Sequence, residues 1–449
     1  MSQSVLILCP DTISQRMAGP AIRYWEFAKA LSCEHLVTLA APNQEAIDLT
    51  PPHQNVTLAH HNHDTIQQLE ESHDIIIFQG FILDIYPFLK HSTKILISDL
   101  YDPIPLEGLE LGKNNPNHDE IANQVRVINT QLKCADYFLC ASERQRDLWL
   151  GHLMSLGRIN PHTYATLQQR IISVPFGLPD SPASPVEDVE TGFLAKGSET
   201  KKPFILLWGG GIWEWFDPLT IIHAVHRLSK KYPEIKLVFL GTKHPNPGID
   251  VMPMQHQAEK LAKELKIYGK QVVFQAGWVP YEHLPNYLLE ADIGVSAHFD
   301  TLETHYSFRT RILHYLWAEK PIITTRGDVL AEHIENHQAG IVVDYEDIDG
   351  WVNAIEKLHN PIYHAKYIAG IKKLAKTYTW SKVTRQLTEI CHHATIAQDI
   401  DNENNSRKSL IWDCEQEYNV LKHQLDIIER SHSWRITAPL RAFRRWLSR

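Results

Sequence analysis

Two arginines stand where a helix should begin in the stretch THYSFRTRILHYLWAEKP, Thr304 to Pro321. Ser307 is of the right type to cap a helix opening near Phe308. Ile312, Leu313, Leu316 and Trp317 give that helix one apolar face. Arg309 and Arg311 then fall in the first turn, against the positive end of the helix dipole, where a cation is unfavourable. An anion bound at this end would account for them, since it gains backbone N–H groups, the dipole and a guanidinium clamp together. The alternative is a pair of solvated surface arginines. Positions two apart lie about 200° around a helix, so at most one of the two need point to the anion.

A second stretch with chemical meaning is WGGGIWEWFDP, Trp208 to Pro218. Gly210 and Gly211 follow an apolar strand and allow backbone to come close to a ligand; a plain tight turn explains them equally well. The run is not GxGxxG, and no acid is placed for a dinucleotide ribose. The cluster HHNHD, His60 to Asp64, could hold a metal. Its spacing matches no ligand pattern on one face, which favours a solvated loop and no metal site. The six cysteines form no CxxC pair, so neither a zinc site nor a disulfide framework is expected.

The elements around these residues alternate. SVLILCP is a short apolar run read as a buried strand, and GPAIRYWEFAKALS follows as a helix with Pro20 in its first turn. HLVTLAAP, HDIIIFQ, KILISDL, YFLCAS and RIISVPFGLP continue the strand series to about residue 180. A second series comprises PFILLWGGG, IKLVFLG, QVVFQAGW, ADIGVSA, KPIITT and AGIVVD. Buried strands separated by helices imply parallel sheets with ligands near the strand carboxyl ends. The expected class is α/β, with two Rossmann-like domains facing across a cleft. The expected domains are 1–180 and 203–395, joined by the Pro-, Ser- and charge-containing linker 181–202. A polar segment, 396–408, then leads to a helical tail, 409–449.

With 44 basic and 53 acidic residues the net charge is −9, which argues against nucleic-acid binding. No apolar run reaches membrane-span length, and the N-terminus lacks a basic signal-peptide region. A cytoplasmic protein is expected.

These stretches together carry a resemblance. Over roughly residues 5 to 390 the chain resembles the family-4 (group 1) glycosyltransferases of the GT-B fold. It does so through AGPAIRYWEFAKAL, SVPFGLP, LLWGGGIWEWFDPLTIIHAV, VVFQAGWVPYEHLPNYLLEADIGVSAH and YSFRTRILHYLWAEKPIITT. The resemblance implies transfer of a sugar from a nucleotide diphosphate, with retained configuration, no cofactor and no metal. Gly19 would let backbone approach the diphosphate, and Trp278, Val279 and Pro280 would border the base.

Departures from the family pattern fall at telling places. The family's paired glutamates correspond to Tyr306 and His314, which leaves His314 to hold the ribose less tightly and Glu303 to contact the donor sugar. The family's Arg and Lys of the glycine turn correspond to Gly211 and Phe216. Arg309 is then the first choice as diphosphate partner and Arg311 the second. Where the family often has His after the fourth strand, this chain has ISDLYDP. Asp99 or Asp102 is expected to orient the sugar or take the acceptor proton, unless the two are turn caps.

The implied activity is glycosyl transfer to an acceptor hydroxyl in surface-glycan biosynthesis, of O-antigen or capsule type. Its partners would be a nucleotide sugar and a glycan or lipid-linked acceptor. A non-catalytic GT-B scaffold and a sugar-nucleotide epimerase are the rivals. In the tail, Cys414, Tyr418, Leu421, Leu425 and Ile428 repeat at heptad-like spacing, a candidate self-association segment within 409–430. Residues 431–449 combine Trp434, Trp446, Leu440, Phe443 and Leu447 with five arginines, a pattern for peripheral docking on an anionic membrane surface.

Overall fold

The computed structural model describes residues 2–113, 115–187, 202–246 and 248–397, with isolated positions between 400 and 437. Seven parallel strands form the first sheet: β1 (Ser4–Leu8), β2 (Leu36–Ala41), β3 (Val56–His60), β4 (Ile75–Phe78), β5 (Ile95–Asp99), β6 (Tyr137–Cys140) and β7 (Ile171–Ser173), in the order β3-β2-β1-β4-β5-β6-β7. Six form the second: β8 (Phe204–Gly209), β9 (Ile235–Leu240), β10 (Val272–Phe274), β11 (Ile293–Ser296), β12 (Ile322–Thr325) and β13 (Gly340–Val343), in the order β10-β9-β8-β11-β12-β13. In each sheet the order reverses beside the first strand, at β1/β4 and β8/β11, so a crevice opens at the carboxyl ends there. The α/β fold with two facing Rossmann-like domains is the one expected.

The central strands are apolar on both faces because helices cover both. Val5 to Leu8 and Ile75 to Phe78 are fully buried. The first crossover helix, Gly19–Leu31, has Pro20 in its first turn and buries Ile22, Phe27, Ala28 and Leu31. Within the two large sheets one strand escapes sequence reading: β3, at the sheet edge, which is buried at Val56 and partly exposed beyond it. It ends in His60, so HHNHD is not simply a solvated loop. His61 is buried, bonded to the Cys9 carbonyl at 3.0 Å and to the Tyr86 hydroxyl at 2.9 Å. Among the described residues no group of His, Cys, Asp or Glu is arranged to hold a metal.

The chain assigned to the second domain as far as 395 returns to the first domain before that point. Thr379 bridges to Leu178, and Trp380 packs against Phe176 and Phe27, with ring centroids 4.9 and 6.2 Å apart. Gly177 admits this ring, for an added Cβ would meet it at 2.5 Å. Farther on, Ala397 donates to the Asp136 carboxylate.

Other contacts hold the domains face to face. Trp278 Nε1 donates to the Met17 carbonyl at 3.0 Å, Tyr281 N to the Gln15 carbonyl at 2.9 Å, and Gln145 Nε2 to the Tyr306 carbonyl at 2.8 Å. No described helix is long and apolar enough to cross a membrane. Apart from Ser431, Trp434 and Thr437 the basic tail lies outside the described residues, as does most of the heptad-like segment. Of the heptad positions, Leu425 and Ile428 are described, and both are exposed.

Candidate active site

A cavity of ≈ 660 Å³ opens between the two sheets at the carboxyl ends of β1, β4, β5, β8 and β9. Its second-domain wall begins with the glycine turn after β8. Gly210 adopts a φ of +147°, which a side chain would strain. Its N–H donates to the Leu240 carbonyl at 3.0 Å. Tyr315 fixes this turn to the helix Thr310–Trp317: its hydroxyl accepts from Gly209 N at 2.8 Å and donates to the Val295 carbonyl at 3.0 Å.

The two arginines are buried, not solvated. Arg309 is the N-cap residue and only Arg311 is inside the helix, so the expected 200° separation does not apply. Both guanidiniums reach the Phe216 ring, at 4.9 Å for Arg309 and 4.0 Å for Arg311. Phe216, which the family resemblance matches to a cationic position, thus has both cations against its ring.

Their remaining contacts differ. Arg309 forms a two-pronged pair with Glu303, Nη1 to Oε1 at 2.8 Å and Nη2 to Oε2 at 2.6 Å. Among the described residues Arg311 meets no carboxylate. It also stacks on Trp208, donates from Nη2 to the Gly211 carbonyl at 2.8 Å, and leaves Nη1 buried with no partner among the described residues. Burial, reinforced by Arg309, pushes Arg311 down to about 10, so it stays charged at neutral pH.

The other expected residues are dispersed around this wall. Ser307 does not cap the helix; its hydroxyl donates to the Thr304 carbonyl at 3.1 Å. Ser307 nevertheless lines the cavity, whereas Tyr306 is not among the lining residues. His314 lines it as a neutral ring, its pKa pushed down to about 4 by burial and then by Arg311. Trp278 packs over Gly241 and, with Val279, lines the cavity. Gly19 begins a helix with no side-chain cap and no acid in its first turn, opposite the equally uncapped Thr310–Trp317.

On the first-domain wall the two aspartates separate. Asp99 is buried away from the cavity, in a pair with Arg23 at 2.7 and 3.0 Å. Asp102 lines the cavity and accepts from Gln79 Nε2 at 2.7 Å. Burial raises its pKa to about 7, with Asp99 and Glu303 adding to the rise while Gln79 and Arg23 oppose it. Glu107, in the helix Ile104–Leu111, also lines the cavity. Burial and then Asp102 hold its pKa well above the ordinary range. Sequence reasoning missed Glu107, since a Glu in a short helix normally reads as solvated, and its spacing of five from Asp102 was the available signal.

The Glu303–Arg309 geometry has a testable consequence. Removing one partner of a buried pair leaves an unpaired charge, at roughly 3–5 kcal/mol. Glu303→Ala is therefore expected to lower the urea midpoint sharply. An unchanged midpoint with lost turnover would instead assign Glu303 to the sugar.

Comparison with known proteins agrees with the fold. Residues 203–360 match the family model Glycosyl transferases group 1. The chain superposes on a sucrose-phosphate synthase from Thermosynechococcus elongatus with a TM-score of 0.61 at 14% identity, over 87% of this chain and 98% of that one. Anabaena HepE in complex with UDP and glucose gives 0.60 at 12%, over 87% and 100%. An α,α-trehalose-phosphate synthase from Burkholderia xenovorans, in complex with glucose-6-phosphate, gives 0.61 at 10%, over 87% and 100%. No curated protein sequence matches the chain. At such identities the likeness is one of fold: the chain has the GT-B architecture, and its second domain carries the group 1 pattern.

Proposed function

We propose that this chain is a glycosyltransferase that moves a sugar from a nucleoside diphosphate to an acceptor hydroxyl, with retained configuration and without a metal. The observation that carries the reading is Arg311, a buried cation held beneath the glycine turn with one guanidinium nitrogen unpartnered. It lies in a cavity also bordered by two uncapped helix N-termini. A diphosphate there would meet backbone N–H groups, two helix dipoles and a charge-assisted donor. As the bond to the sugar breaks, charge grows on the diphosphate, where these fixed donors stabilise it. The base would lie against Trp278 and Val279, the ribose near His314, and the sugar between the diphosphate and Asp102. Asp102 would take the acceptor's proton. HepE, similar in fold, binds UDP, which makes uridine the first base to try. The acceptor would belong to a surface glycan.

The test is thermal denaturation with UDP, GDP, ADP and dTDP, each with EDTA. At one hundred times its Kd the correct diphosphate is expected to add about 2.7 kcal/mol to folded-state stability. Turnover of the matching nucleotide sugar would then follow. The scaffold alternative draws on Glu303, both of whose oxygens are occupied by Arg309. Stabilisation by none of the four diphosphates, with no donor hydrolysis, would select it.

A further inference from the structure

The acceptor side of the cavity differs in chemistry from the donor side. Arg309 and Arg311 lie on the second-domain wall. Among the described lining residues of the first domain there is no Lys or Arg, while Asp11, Asp102 and Glu107 bring three carboxyls. His61 supplies no charge at neutral pH, since burial lowers its pKa. A phosphate group in this half would face three carboxyls and no cationic side chain among the described lining residues.

The same wall is apolar and open. Phe81, Ile85 and Leu111 all line the cavity, yet they are 40%, 46% and 43% exposed. Leu109, on the same helix as Leu111, and Phe88, three residues beyond Ile85, are exposed by 52% and 40%. They carry apolar surface outward from the cavity. Large apolar side chains gathered at the mouth of a binding cavity mark a contact surface rather than scattered surface residues. Deeper in, Gln79 is 5% exposed and its Oε1 is buried without a partner, beside Asp102. That oxygen can accept one hydroxyl hydrogen.

We propose that the acceptor is an uncharged hydroxyl compound bearing an apolar chain, and not a sugar phosphate. Its hydroxyl meets Gln79 Oε1 and Asp102, and its chain lies along Phe81, Ile85 and Leu111. The inference rests on the transfer reading above and names the acceptor class for that site. It concerns the first-domain wall alone. Donor binding and acceptor binding are therefore separately measurable.

The probes are methyl β-D-glucoside, octyl β-D-glucoside below its micelle concentration, and glucose 6-phosphate. Each is titrated into the full chain with and without UDP, and the alkyl series is repeated with maltosides. Burial of a methylene is worth about fourfold in affinity. The octyl compound is expected to bind at least about thirtyfold more tightly than the methyl one, the equivalent of two to three methylenes buried. Glucose 6-phosphate is expected to bind more weakly than either. Ile85→Asp is expected to abolish the alkyl preference while UDP affinity stays unchanged, which also shows that the variant is folded. Equal methyl and octyl affinities, tighter glucose 6-phosphate, or an alkyl preference that survives Ile85→Asp would overturn the proposal. So would a loss confined to vesicle co-sedimentation in Ile85→Asp, which would assign the patch to a membrane surface. UDP binding that persists through such failures leaves the transfer reading standing; loss of UDP binding by the wild type sinks that reading instead.

Discussion

Arg311→Ala is expected to weaken UDP binding by about 1.5–3 kcal/mol, the range for a hydrogen bond to a charged group, or roughly tenfold to 150-fold in Kd. The guanidinium is preorganised: Phe216 and Trp208 hold its plane, and one nitrogen is already tied to the Gly211 carbonyl. Little side-chain freedom is left to lose when a diphosphate arrives, so most of the interaction survives as affinity. Arg311→Lys is expected to recover only part of the loss, because an ammonium cannot lie flat on two rings and still reach the carbonyl. Arg309 stands differently. Its charge is matched by Glu303, so Arg309→Ala is expected to cost stability more than nucleotide affinity. Isothermal titration with UDP and urea unfolding of the same variants separate the two effects. If Arg309→Ala loses UDP at an unchanged urea midpoint while Arg311→Ala binds normally, the diphosphate partner is Arg309.

The pairing of Arg309 with Glu303 shows where sequence reasoning stops. The types and spacing of Arg309 and Arg311 suggest an anion site in sequence, and the titration above tests it. Which one is neutralised depends on Glu303, six positions earlier on a separate short helix, and on where the next helix begins. A shift of the first helical residue to Thr310 turns Arg309 from a helix position into a cap and changes its direction. The twelve strands read from sequence were legible because fully buried parallel strands are continuous apolar runs. β3 was not, since an edge strand is buried on fewer sides and Val56–His60 carries mixed polarity. Arg23 was also hidden. It sits in the apolar stripe of its helix, and only Asp99, 76 positions away, explains how a charge can be buried there. The two aspartates of ISDLYDP looked equivalent for the same reason. The fold gives one of them to Arg23 and turns the other toward the cavity.

Asp102→Asn is expected to lower turnover by 10²- to 10⁴-fold, the usual contribution of a positioned general base, with UDP affinity unchanged. The pH dependence makes the test specific. In the wild type, burial lifts Asp102 to about 7, and Glu107 is lifted well above its own ordinary range. Asp102 titrates near neutrality, so kcat/KM is expected to fall as pH drops through about 7. The Gln79 amide favours the charged form of Asp102 by donating to it. Gln79→Leu is expected to move that midpoint upward. Stability runs in the opposite sense. A carboxyl whose folded pKa is raised makes the folded state hold its proton more tightly, so ionising Asp102 costs stability as pH rises from about 4 to about 7. Asp102→Asn removes that cost, so the variant is expected to melt above the wild type at pH 8 and level with it near pH 4. A turn cap would show neither effect, because asparagine caps a turn as well as aspartate does. Full turnover in Asp102→Asn with an unmoved pH profile would return Asp102 to that role and leave the leaving diphosphate as the group that takes the acceptor's proton.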